Sequence, residues 1–245
     1  MNFDLKSFTG VLRTDRNLTV PILGEANRIP EAFERWDRWM TPIDDQGKRG
    51  TCVAQATSRI IEWAIWYFMG QRVQLDAERL YRVAWTLQNK KEWPGDIAYQ
   101  DGLQMQAAYH AAIQEGLLGG ASYMVNVPMT SIDIFDALAH GPLLAGTCVT
   151  RAWQNPQPDT GEILRANVEM NGHAWTMHGM GKSNEPDGGA LVRGCNSWGT
   201  GWGYHGFFQI HVPHYIQCAL CSPISIRDDW NRTLITRKWE GWVLP

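Results

Sequence analysis

The chain contains no apolar stretch approaching the roughly 20 residues that would span a bilayer. Its opening, MNFDLKSFTG, lacks the apolar core of a cleavable signal peptide. No long basic run is present to track a nucleic-acid backbone or an anionic membrane surface, and the formal charge is only -3. Neither nucleic acid nor a membrane is therefore an expected partner. Cysteine is scarce: Cys52, Cys148, Cys195, Cys218 and Cys221 make five. An odd number at irregular spacing is not the framework of a small disulfide-stapled domain, and it leaves at least one thiol unpaired within a monomer. With no repeat and no low-complexity segment, a soluble globular protein of a reducing compartment is expected, cytoplasmic or exported without a cleavable signal peptide. Oligomeric state is not legible in these features.

The 245 residues, 44% of them hydrophobic, suffice for one large domain or two subdomains with a sizeable core. From Thr51 the apolar residues Val53, Ala56, Ile60, Ala64 and Phe68 recur at helical spacing, with Gly70 as a stop and Thr51 as a cap. Residues 73–90 and 101–116 also read as helices, and SIDIFDALAHG as a short one capped by Ser131 and ended by Gly141. After Pro142 the segments LLAGTCVT, HAWTMHGMG, GALVRGCNSW and GFFQIHV carry the composition of antiparallel strands. A helical half followed by a stranded half predicts an α+β fold, with a cleft where the two meet.

Three stretches carry chemistry. In QGKRGTCVAQATSRIIEWAIW, Cys52 stands in the first turn of the predicted helix, where the positive end of the backbone dipole favours thiolate over thiol. In MNGHAWTMHGMG, a turn at Asn171-Gly172 followed by a strand can hold the His173 ring at a cleft edge, although a core histidine has the same pattern. In VRGCNSWGTGWGYHGFF, the Asn196 carboxamide can accept an imidazole Nδ1 proton, with Trp198 shielding that bond from water. The alternative there is a glycine-rich strand turn whose asparagine serves the backbone. Cys218 and Cys221 form a C-x-x-C, half a metal or redox motif without a second half, so core or surface thiols are the preferred reading. His211 and His214 in HVPH lack companions for a metal site. No metal and no cofactor is expected.

The order Gln46, Cys52, His173, Asn196 resembles that of the papain-like cysteine peptidases of the cathepsin type. NSWGTGWGYHGFF is nearly a full match to the family's asparagine motif, GHAWTMHGMG resembles its histidine strand, and QGKRGTCVA its nucleophile segment. IPEAFERWDRWMTPIDDQG resembles the start of a mature enzyme, and HGPLLAGTCV the entry to its second half; the likeness runs over roughly residues 29–222. The resemblance implies a two-lobed fold, with a helical lobe near 45–130 and an antiparallel β-barrel lobe near 131–225. Residues 1–28 would then form a leader able to block the cleft, and 226–245 an extension without a family role. It also implies Cys52 as nucleophile, His173 as general base and acid, and Asn196 as the group orienting the ring. Gln46 and the Cys52 N–H would form the oxyanion hole.

Asp101 and Gly102 stand where the family pairs with substrate backbone, normally through two adjacent glycines, and with Trp198 they complete the implied substrate-binding set. The cysteine and imidazole are expected to rest as an ion pair, and the substrate to be a protein or peptide. Val53 replaces the usual tryptophan after the nucleophile, and Arg49 a common disulfide cysteine. Two other functions remain open: an acyltransferase, ligase or amidase with the same triad, and a catalytically silent adaptor on a peptidase fold.

Overall fold

The computed structural model describes residues 32–33, 36–40, 42–164, 169–183, 189–235 and 238–245. The expected leader, residues 1–28, lies outside them. Helix α1 spans Cys52–Met69 and ends on Gly70 in the left-handed conformation (φ 68°). Its residues are buried without interruption from Cys52 to Ile65, so it is a core helix rather than a surface one, and only its last turn shows an exposed face at Tyr67 and Phe68. Thr51 occupies the cap position, but its side chain makes no capping bond. Helix α2 (Ala77–Asn89) starts later than its periodicity predicts because Asp76 caps it, accepting from Arg79 N at 2.9 Å. Helix α3 (Met105–Gln114) likewise starts after a 3-10 turn at Asp96–Gln100. Helix α4 (Ser131–Leu138) is capped by Thr130, one residue before the expected Ser131.

The second half is one antiparallel sheet. Strands β1 (Ala32–Phe33), β2 (Tyr123–Asn126), β3 (Leu143–Thr150), β4 (Glu169–Lys182), β5 (Ala190–Cys195), β6 (Phe207–His211) and β7 (Ile224–Arg227) take the order β2-β7-β3-β4-β5-β6, with β1 added on β4. Short helices α5 (Val212–Cys218) and α6 (Trp230–Ile235) precede and follow β7. Asn171-Gly172 is not a turn: Gly172 pairs with Cys148 inside β4, and the register shift toward Thr150 makes that dipeptide part of a bulge. Fold class is as the sequence predicts, α+β.

Two apolar clusters form the core, one built on α1, α2 and α3, the other on β3, β4, β5 and α4. Strand β4 serves both: Ala174 belongs to the helical cluster, while Trp175 and Met177 belong to the sheet cluster, the alternation that a pleated strand imposes. Thr176 Oγ1 donates to the Ala56 carbonyl at 3.2 Å and locks β4 onto α1.

The C-terminal residues, without a role in the sequence reading, complete the helical cluster with Trp230, Leu234, Trp239 and Trp242. Asp76 N donates to the Trp242 carbonyl at 2.8 Å, and the Arg79 guanidinium lies 3.9 Å from the Trp242 ring centroid. Trp242→Ala is expected to cost about 3–5 kcal/mol. Calorimetry should register this as a fall of roughly 10 °C in the thermal midpoint.

Candidate active site

Cys52 is the first residue of α1, and the turn before it is held in place by Gly50 N donating to the Tyr99 carbonyl at 2.6 Å. From strand β4, Ala174 N donates to Cys52 Sγ at 3.4 Å. The nucleophile candidate therefore touches the backbone of the residue after His173. On the other side of the ring, His173 Nε2 lies 2.6 Å from Asn196 Oδ1. That oxygen also accepts from Ser197 N at 2.7 Å, which fixes which way round the carboxamide sits. An oxygen that accepts requires the proton on Nε2, so in the neutral ring Nδ1 carries the lone pair. The sequence reading assigned the asparagine to Nδ1; the structure corrects this. Nδ1 is the ring nitrogen left for the sulfur's proton, and it is buried without a hydrogen-bond partner among the described residues.

Trp198 packs over the imidazole with centroids 4.5 Å apart, and Trp153 approaches it edge-on at 6.2 Å. Trp198 thus lies against the ring that bonds Asn196. Gln46 sits between the halves: its Oε1 accepts from Ser197 Oγ at 2.5 Å, and its Nε2 donates to the Arg49 carbonyl at 2.6 Å. One of the two Nε2 hydrogens is then uncommitted. Gly206 (φ +89°) lets the asparagine loop lie against this run, since a Cβ there would meet Ile43 at 2.5 Å. Ser197 escaped the sequence reading, although it adjoins Asn196; so did Tyr81, which is wholly buried and bonds the Ala98 and Asp101 carbonyls, both at 2.6 Å.

Asp101 and Gly102 follow the 3-10 turn that abuts the Cys52 loop. Asp101 is exposed, with Oδ2 accepting from Trp85 Nε1 at 2.7 Å, and the Gly102 carbonyl accepts from Gln88 Nε2 at 3.1 Å. Cys221 packs against Met105 Sδ at 3.7 Å, and Cys218 donates to the Tyr215 carbonyl at 3.4 Å, so the C-x-x-C serves packing. His211 pairs with Glu162 at 3.1 Å. Among the described residues, no group of three or more metal-ligating side chains is assembled.

Burial governs the charge state. It pushes the Cys52 thiol up to about 12, although N–H groups of Ala174, Val53 and Cys52 pull the other way. It lowers His173 to about 4 against the opposing Asn196 hydrogen bond. Raising the thiol from 9.0 to about 12 corresponds to about 4 kcal/mol, more than the 2 kcal/mol or so that a helix dipole supplies at best. Burial thus opposes both charges of the ion pair that the helix dipole favours.

A histidine held neutral is a stability element. Its folded pKa of about 4 lies below its ordinary 6.5, so the unfolded chain binds the extra proton within that window. Stability from this source is complete above pH 6.5 and is lost as pH falls through 4. His173→Gln is expected to melt with a weaker pH dependence than the parent between those limits, by up to about 3 kcal/mol at the acid end. Paired thermal melts across that range check it.

No protein-family model matches the chain. Cathepsin J of Mus musculus is 26% identical over 214 residues, covering 78% of this chain and 63% of that protein. Cathepsin J of Rattus norvegicus is 25% identical over 221 residues, covering 80% of this chain and 65% of that protein. The chain thus spans less than two thirds of the length of these relatives. Xylellain, a cysteine protease from Xylella fastidiosa, superposes with a TM-score of 0.65 at 17% identity, over 91% of this chain and 97% of xylellain. Digestive procathepsin L 3 of Tenebrio molitor larval midgut also gives 0.65, at 18% identity, over 90% of this chain and 76% of that structure. The likeness to both structures lies in the fold. The chain thus has the fold of the papain-like cysteine peptidases and a distant sequence likeness to cathepsins.

Proposed function

We propose that the chain is a cysteine-type endopeptidase, with Cys52 as nucleophile, His173 as base and acid, and Asn196 as the group holding the ring. One observation carries this reading: the ring nitrogen not committed to Asn196 is buried without a partner among the described residues, on a histidine whose neighbour's N–H touches the sulfur. In the proposed cycle, entry of substrate and water hydrates the pair, and Cys52 passes its proton to His173 Nδ1. The sulfur bonds the peptide carbonyl carbon, and the resulting oxyanion accepts from the free Gln46 Nε2–H and the Cys52 N–H. The C–N bond then breaks as the amine takes the proton from His173, leaving a thioester on Cys52. His173 next takes a proton from water, whose oxygen bonds the acyl carbon while the C–S bond breaks. The carboxylic acid leaves, and the thiol is restored.

Burial disfavours both charged forms, so hydration of the site by entering substrate and water would favour the proton transfer. Activity is expected to fall in acid as His173 is protonated before it can accept from the thiol. Incubation with a diverse peptide library, analysed by mass spectrometry, tests the function. Internal cleavages at defined sites support it, and intact peptides after every treatment that exposes Cys52 to a thiol reagent overturn it.

A further inference from the structure

Charged side chains are seldom shut away from water unless paired, yet α1 buries two, Arg59 and Glu62. Arg59 follows Cys52 by seven residues, two helical turns along nearly the same face. Its Nη2 donates to Asp44 Oδ2 at 2.5 Å, and its Nη1 to the Pro42 carbonyl at 3.0 Å. Asp44, also buried, accepts at Oδ1 from Gln74 Nε2 at 2.5 Å. A planar guanidinium with two partners on one segment fixes that segment's direction as well as its distance.

That segment leads directly to Gln46. Gly199 N donates to the Asp44 carbonyl at 2.9 Å, Asp45 bridges to Trp198, and Gln46 N donates to the Ser197 carbonyl at 2.8 Å. Residues 44–46 are thus laid alongside the run that follows Asn196, while Arg59 anchors their start to the nucleophile's own helix. Filling such a space with well-packed apolar residues is often neutral or favourable for stability. Stability alone therefore gives no reason for a buried charge pair here.

We propose that the Arg59–Asp44 pair is a positioning element, holding the Gln46 amide at the distance from Cys52 that an oxyanion needs. This rests on the peptidase reading above and assigns neither residue a contact with substrate. Arg59 also faces the buried Glu62 carboxylate, so the test replaces the charges as a unit, Arg59→Met with Asp44→Leu and Glu62→Gln, leaving no buried charge without its partner. It reads kcat and KM on one peptide, with and without Gln46→Ala. The expected result is a loss of about 10- to 100-fold in kcat with KM within about twofold, bounded by the cost of losing one oxyanion donor. In the Gln46→Ala background the same replacement should cost less than about twofold, because no amide remains to be misplaced.

An unchanged kcat, an equal loss in both backgrounds, or a rise in KM alone would overturn the proposal. Should the combined variant fail to fold, Arg59→Lys keeps the charge but loses the fork. It is expected to lose about three- to tenfold in kcat, again only when Gln46 is present, and no loss or an equal loss in both backgrounds overturns the proposal. A parent protein that cleaves no peptide sinks the peptidase reading and this inference together. A parent that cleaves, with Arg59 variants behaving as in the contrary outcomes, sinks this inference alone.

Discussion

Cys52→Ala is expected to lower kcat/KM for peptide cleavage by on the order of a millionfold, the scale seen when the nucleophile of a serine peptidase triad is removed. The size of the effect follows from covalency: without the sulfur no thioester forms, and the remaining groups can only polarise a carbonyl. Three of the other thiols are turned elsewhere. Cys195 is directed at Met40 Sδ and the Thr176 carbonyl, Cys218 at the Tyr215 carbonyl and Cys221 at Met105 Sδ, all away from the His173 ring. The substitution removes a small buried side chain from the first turn of α1, so a folded variant is expected and an unchanged circular dichroism spectrum verifies it. An acyltransferase using the same residues would lose activity equally, and adding a primary amine to the parent reaction separates transfer from hydrolysis. A silent adaptor would keep its biological effect in the variant.

Gln46→Ala carries the second largest expected effect, about 10²–10³ in kcat with little change in KM. The amide is built for one task. Ser197 Oγ holds its oxygen and the Arg49 carbonyl holds one amide hydrogen, so the other hydrogen has a direction but no partner among the described residues. An interaction made only when charge develops on the carbonyl oxygen lowers kcat on removal without weakening ground-state binding. Stopped-time assays at saturating and limiting peptide distinguish the two constants. A rise in KM at unchanged kcat would instead make Gln46 a wall of the substrate groove.

The elements that are local in origin were legible in the sequence. Gly70 stops α1, and the alternation in LLAGTCVT and GALVRGC marks β3 and β5. Boundaries moved where capping decided them: Asp76 and Thr130 begin helices that periodicity alone placed elsewhere. Asn171-Gly172 has turn composition, but pairing with β3 keeps it in a strand, a tertiary effect invisible to a short window. Which face of the His173 ring meets Asn196 is likewise a matter of strand register and rotamer. The sequence brings Cys52, His173, Asn196 and Gln46 into consideration but says nothing of their exposure. Their burial opposes the charge state expected at the helix dipole. Arg59 was available as a signal, a charge on an apolar helix two turns from the nucleophile. The tryptophans near the C-terminus gave no pattern by which to assign them to the helical core.

The most direct test of the covalent mechanism is intact-protein mass spectrometry of the chain after reaction with an epoxysuccinyl peptide, followed by mapping of the modified residue. A single adduct on Cys52, lost in His173→Ala and slowed while the site stays closed, is the result this account predicts. Comparable labelling of all five thiols, or labelling of Cys52 that is indifferent to the loss of His173, would contradict it.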